Sequence, residues 1–193
     1  MAKTKSVALA LAFGLAAGAA GAQDLRIGLQ DDADILDPDQ SRTFVGRIVY
    51  ASMCDKLVDI TPDLEIIPQL ATGWTWSDDG LTLTMTLRED AVFHDGTPFN
   101  AEAVAANIYG KINLPESRRK SELASITGTE VIDEYTIAMT LGAPDATLLA
   151  QLADRSGMMM SPTATAEMGV DFGLTPVCSG PFQFVERIQQ DRI

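Results

Sequence analysis

The 193-residue chain has a single histidine, two cysteines and only 14 basic residues against 27 acidic ones, and each shortage closes off a class of function. A nucleophilic enzyme needs a base within reach of its Ser, Cys or Lys, and His94 is the only imidazole available. It sits in the turn sequence His94-Asp95-Gly96, where His94 and Asp95 read as residues that pin the turn. No catalytic residue is assigned. Zinc or nickel held by protein ligands needs several His, Cys or carboxylates at short spacing, so no metal and no other cofactor is assigned. The formal charge of −13 lacks the clustered Lys and Arg that neutralise phosphates, which argues against nucleic acid. Acidity of this size fits solubility better than a surface built for a cationic ligand. Internal repeats and low-complexity tracts are missing too. No apolar run approaches the roughly 20 residues of a bilayer-spanning helix.

What is present begins with a leader. Lys3 and Lys5 precede an apolar run from Val7 to about Ala17, and the small-x-small pattern Ala20-Gly21-Ala22 follows. Residues 1–22 therefore read as a secretory signal peptide. No Cys lies near the cleavage-like site, so neither a lipid nor any other stable membrane anchor is expected. Cleavage would remove two positive charges and no acids, moving the formal charge from −13 to −15. In an oxidising compartment Cys54 and Cys178 are a disulfide within the chain, two buried thiols or, as the poorer option, partners in an intermolecular bridge.

A hydrophobic share of 46 % supports a folded α/β core. Residues 24–30 read as a strand, followed by the polar loop DDADILDPDQ. Residues 43–57 have helical apolar spacing at Phe44, Val45, Ile48, Val49 and Met53. Trp74 and Trp76 share a face of a hairpin turned at Asp79-Gly80, whose return strand alternates Leu83, Met85 and Leu87 with threonines. Asn100 is placed to cap a helix to about Ile112. A short helix near Glu122, a second hairpin over 129–141, a helix from Pro144 to about Ala153 and a strand over 180–188 complete the expected order. Met158-Met159-Met160 reads as packing rather than a copper site.

The stretch Ala71–Val104, with its hairpin, HDG turn and helix start, resembles the signature of extracellular solute-binding protein family 5, the peptide- and nickel-binding proteins of ABC transporters. Leu36-Asp37-Pro38, LEIIPQLA at 64–71, VIDEYTI at 131–137, residues 144–162 and PVCSGPFQF at 176–184 follow in that family's order. Cys178 and Ser179 replace its usual Gly and Thr, and Ala103 stands where many relatives carry Asp. The resemblance implies a periplasmic-binding-protein-like fold, type II with an extra subdomain, of which this chain holds an incomplete part. Residues 23–45 and 176–193 would belong to lobe one, and 46–175 would form the small subdomain. It implies a periplasmic protein that binds peptides or similar small solutes, with nickel chelates, glutathione-like molecules, opines and oligosaccharides as other ligands of the family. The partner implied is an ABC permease; a truncated remnant that binds nothing, or a secreted interaction module, is the alternative. It points to Asp32, Ala33 and Asp34 for ligand contact, an acidic residue there taking a ligand's ammonium group. Its layout also brings the first long helix near the crossover, which permits a Cys54–Cys178 bridge.

Overall fold

The computed structural model describes residues 25–193, so the signal-peptide reading of 1–22 lies outside the described residues. Helix α1 spans Phe44–Met53, and its first turn is closed by Thr43, whose Oγ1 accepts the Gly46 N–H at 3.1 Å. It ends four residues earlier than the apolar spacing suggests. Cys54 turns extended, and the Lys56 N–H is taken by Gln69 at 2.8 Å, so the chain is drawn out towards a neighbouring segment. Strands β1 (Val58–Ile60) and β2 (Ile66–Pro68) then form a two-stranded antiparallel ribbon that the sequence pattern did not single out.

The main sheet is antiparallel, with β3 (Ala71–Trp76), β4 (Thr82–Leu87), β5 (Ile126–Asp133) and β6 (Thr136–Leu141) in the order β3-β4-β6-β5. Gly80 takes φ 68°, the left-handed conformation that the hairpin turn requires. Period-two alternation puts Leu83, Met85 and Leu87 of β4 and Ile137, Met139 and Leu141 of β6 on one buried face. Each such side chain contributes about 1.5–3 kcal/mol by leaving water. Helix α2 (Ala101–Asn113) covers that face with Val104 and Ile108, capped by Asn100 Oδ1 accepting the Ala103 N–H at 2.9 Å. Phe93 and Phe99 meet edge to face at 6.0 Å in the same core. Trp74 packs partly against it, whereas Trp76 stays at the surface.

A second core gathers Ala33, Leu36, Tyr50, Met53, Met160, Phe172 and both cysteines. The methionine run joins the two, because successive side chains of an extended segment point opposite ways. Met159 enters the sheet core, while Met158 and Met160 enter the second.

Four sequence expectations are corrected. Residues 25–30 and 180–188 join no sheet among the described residues, and 180–188 holds only an isolated bridge from Ile188 to Arg192, since backbone becomes a strand only when a neighbour meets its N–H and C=O groups. In the second segment Gly180 and Phe182 donate to Met53 O (2.7 Å) and Ser52 O (3.1 Å) at the end of α1, and Ile188 donates within its own turn, to Arg192 O (2.8 Å). The residues around Glu122 form turns, with the Glu122 carboxylate drawn to Arg119 and Ser156. Helix α3 covers Leu148–Leu152 and leaves Pro144 outside. The Asp145 carboxylate accepts the Thr147 N–H (2.8 Å) and hydroxyl (2.7 Å), a local turn that delays the helix. A further helix α4 spans Pro162–Met168, with Ser161 as its cap.

Candidate functional site

The loop between residues 31 and 43 is held almost entirely by its own acids. Asp34 is its hub: Oδ1 accepts from Ser41 Oγ (2.7 Å) and Thr43 Oγ1 (2.9 Å), and Oδ2 from the Arg42 N–H (2.8 Å). Burial alone would raise this carboxyl, but the three hydrogen bonds outweigh it and hold it at about 2. Asp37 Oδ1 accepts the N–H groups of Asp39 (2.7 Å) and Gln40 (3.2 Å), which folds residues 37–40 into a tight turn.

Below the turn lies a buried ion pair. Asp39 Oδ1 accepts from the fully buried Lys111 Nζ on α2, and burial pushes the Asp39 carboxyl up against the pull of that ammonium. Ser41 O accepts from Arg119 Nη2 (3.2 Å) and Arg155 Nη1 (3.3 Å), and the Tyr50 hydroxyl donates to Ile35 O. Burial raises Tyr50 to about 12, so it stays a donor at any physiological pH. The loop is thereby fixed to α1, α2 and the 155–157 turn.

Asp32 and Ala33 face a different segment. Asp32 Oδ2 accepts from Arg187 Nη2 (3.0 Å) and from the Gln190 N–H (3.0 Å), and Arg187 Nη2 also donates to Ala33 O. The Gln190 backbone bond, then the Arg187 contact, lowers the Asp32 carboxyl. Ala33 itself is buried in the second core. Of the three expected contact residues, then, Asp34 has both oxygens occupied, while Asp32 keeps Oδ1 without a protein donor among the described residues. Arg187 and Gln190 were not foreseen. Their 155-residue and 158-residue separations from Asp32 leave no trace in local pattern.

The segment before them is clamped to the HDG turn. The His94 N–H donates to Cys178 O (2.8 Å) and its Nε2 to Gly180 O (2.8 Å). Asp95 Oδ1 accepts the Thr97 N–H (2.9 Å), and Oδ2 accepts from Ser161 Oγ (2.6 Å). His94 thus ties the turn to the distant 178–180 segment rather than only to itself. Cys54 and Cys178 are joined by a disulfide, their Cα atoms 4.8 Å apart. Beside it a Cβ on Gly180 would lie 2.6 Å from the Met53 carbonyl, which is why a glycine stands there. Beyond this clamp Phe182, Val185 and Ile188 are exposed, as are Leu25 and Ile27 on the other unpaired segment. Among the described residues no His, Cys, Asp and Glu cluster could hold a metal, and no helix is long and apolar enough to cross a membrane.

A family model described as bacterial extracellular solute-binding proteins, family 5 Middle, matches residues 65–193. The glutathione-binding protein GsiB of Salmonella typhi is 36% identical over 186 residues, covering 95% of this chain and 36% of its own length. The Escherichia coli (strain K12) protein of that name is 34% identical over 180 residues, covering 92% and 35%. Among solved structures, the binding protein AgaA of A.tumefacien R10 in complex with agropinic acid superposes with a TM-score of 0.76 at 29% identity, covering 82% of this chain and 32% of that one. The ABC transporter-associated periplasmic binding protein DppA from Helicobacter pylori, in complex with peptide STSA, gives 0.74 at 25%, covering 82% and 36%. The chain therefore spans about a third of the length of the relatives it matches.

Proposed function

The chain belongs to the bacterial extracellular solute-binding proteins of family 5, and from that membership we propose that it forms the opening portion of a periplasmic receptor that takes a peptide or similar small solute and delivers it to an ABC permease. The observation that carries this reading is the continuous likeness, in sequence over 95% of the chain and in fold over 82%, to proteins whose names specify glutathione, agropinic acid or a peptide. These ligands are small, polar, and rich in carboxylate and amide groups. Peptide is the ligand class we favour.

In this reading residues 23–45 and 176–193 are parts of lobe one and 46–175 the small subdomain. The rigid 31–43 loop supports the assignment of ligand contact to Asp32, Ala33 and Asp34: Asp34 shapes the loop, Ala33 seats it in the core, and Asp32 offers the remaining acceptor. Affinity then depends on a second lobe closing over the same ligand and excluding water. Calorimetric titration with peptide mixtures tests this on two proteins, the uninterrupted gene product and residues 23–193. Saturable tight binding is expected of the longer protein alone. Equally tight binding by residues 23–193 would remove the two-lobe reading.

A further inference from the structure

We propose that Arg187 is an internal competitor for a ligand's ammonium group at the 31–34 loop, and so sets which ligands that loop accepts. The proposal rests on the reading of this loop as a ligand contact and names the residue that tunes it.

An alkylammonium brings three donors and leaves water without loss only where acceptors replace its hydration. Around this loop most acceptors are already taken. Both oxygens of Asp34 serve Ser41, Arg42 and Thr43, and Arg187 Nη2 reaches both Asp32 Oδ2 and Ala33 O. Asp32 Oδ1 remains, and one acceptor is too few. Arg187 is itself a cation standing beside the acidic run Asp31-Asp32 and Asp34, where a ligand cation would be drawn. A guanidinium and an ammonium exclude one another there by charge as well as by space.

The contact is also built to be given up. Arg187 Nε is sealed from solvent and has no hydrogen-bond partner among the described residues, in a side chain that is 15% exposed. A buried donor left unmade is costly, and swinging the guanidinium into water restores it. The segment that carries Arg187 is a small turn of its own, closed by the Ile188 N–H to Arg192 O (2.8 Å), with Gln190 at φ 61°. Gln190 holds Asp32 Oδ2 through its backbone N–H (3.0 Å), so the carboxylate stays in place when the arginine leaves. An anionic ligand group would gain Arg187 but meet three aspartates, and the local charge favours the cation.

Dialanine and N-acetyl-dialanine, titrated against the same uninterrupted gene product and its Arg187→Gln, Arg187→Lys and Arg192→Gln variants, decide the matter. The readout is the backbone amide shift of Asp32 and Ala33. Arg192 is exposed and, among the described residues, its side chain pairs with Glu186 and Asp191 alone, so its variant controls for changes to the segment. Arg187→Gln is expected to bind dialanine at least tenfold more tightly than the unaltered chain, Arg187→Lys in between, and Arg192→Gln unchanged. The acetylated probe, which has no ammonium, gains nothing. Equal or weaker dialanine binding by Arg187→Gln, or an equal gain for the acetylated probe, overturns the proposal while leaving the loop as a ligand contact. If dialanine shifts neither residue in any variant, the loop reading itself fails and this proposal falls with it.

Discussion

Reducing the Cys54–Cys178 disulfide should cost this protein more stability than any single side-chain change. The two cysteines are 124 residues apart in sequence. Closing a loop of that length removes denatured-chain entropy worth about 5 kcal/mol, comparable with the whole stability of many domains. The folded state loses little on reduction, because the crossover is independently held by His94, Met53, Ser52 and Ser161. The effect therefore acts through the unfolded chain. Urea unfolding followed by tryptophan fluorescence, with and without reductant, measures it. With a slope of roughly 2 kcal/mol per molar, the reduced midpoint should lie about 2.5 M lower. The slope itself should rise, since an uncrosslinked chain exposes more surface. Coincident midpoints, or two free thiols titrated in denaturant without reductant, would refute the reasoning.

Three further outcomes are expected. Asp34→Asn removes a carboxyl held at about 2 from an ordinary 3.8. Its stabilisation is present above the unfolded value and lost as pH falls through the folded one, so the variant should lose about 1 kcal/mol at pH 7, after discount for solvent screening, and nothing near pH 2. Urea midpoints across that range check it. Lys111→Met strands the buried Asp39 carboxylate and should cost about 3–5 kcal/mol at neutral pH. Because burial already raises Asp39, its folded form tolerates protonation, so the loss should shrink as pH falls, and adding Asp39→Asn should restore much of it. Residues 23–193 should bind an apolar dye through Leu25, Ile27, Phe182 and Val185, and pairing of those residues with further chain should abolish the signal.

The parts of this structure readable from the chain are those whose physics is local. Asn100 caps α2, Asp79-Gly80 turns the first hairpin, and the leucine–threonine alternation of β4 faces the core as its period requires. Local propensity misled where a competing side-chain bond was available. Asp145 captured Thr147 and kept Pro144 out of α3, and Gln69 drew Lys56 out of the end of α1. The two expected strands at the ends have the right residues, yet strand pairing is supplied by neighbours and not by the segment itself. At the candidate site, the acids of the 31–43 loop were visible as a cluster. Which of them were already spent on Ser41, Thr43, Lys111 and Arg187 depends on contacts of up to 155 residues, beyond the reach of spacing.

Hydrogen exchange at residues 25–30 and 183–187, compared between residues 23–193 and the uninterrupted gene product, bears most directly on the reading of this chain as one part of a hinged receptor. Both segments should exchange rapidly in the shorter protein and become protected by several orders of magnitude in the longer one, where neighbouring strands meet their backbone groups. Strong protection in the shorter protein, or equally rapid exchange in both, would contradict it.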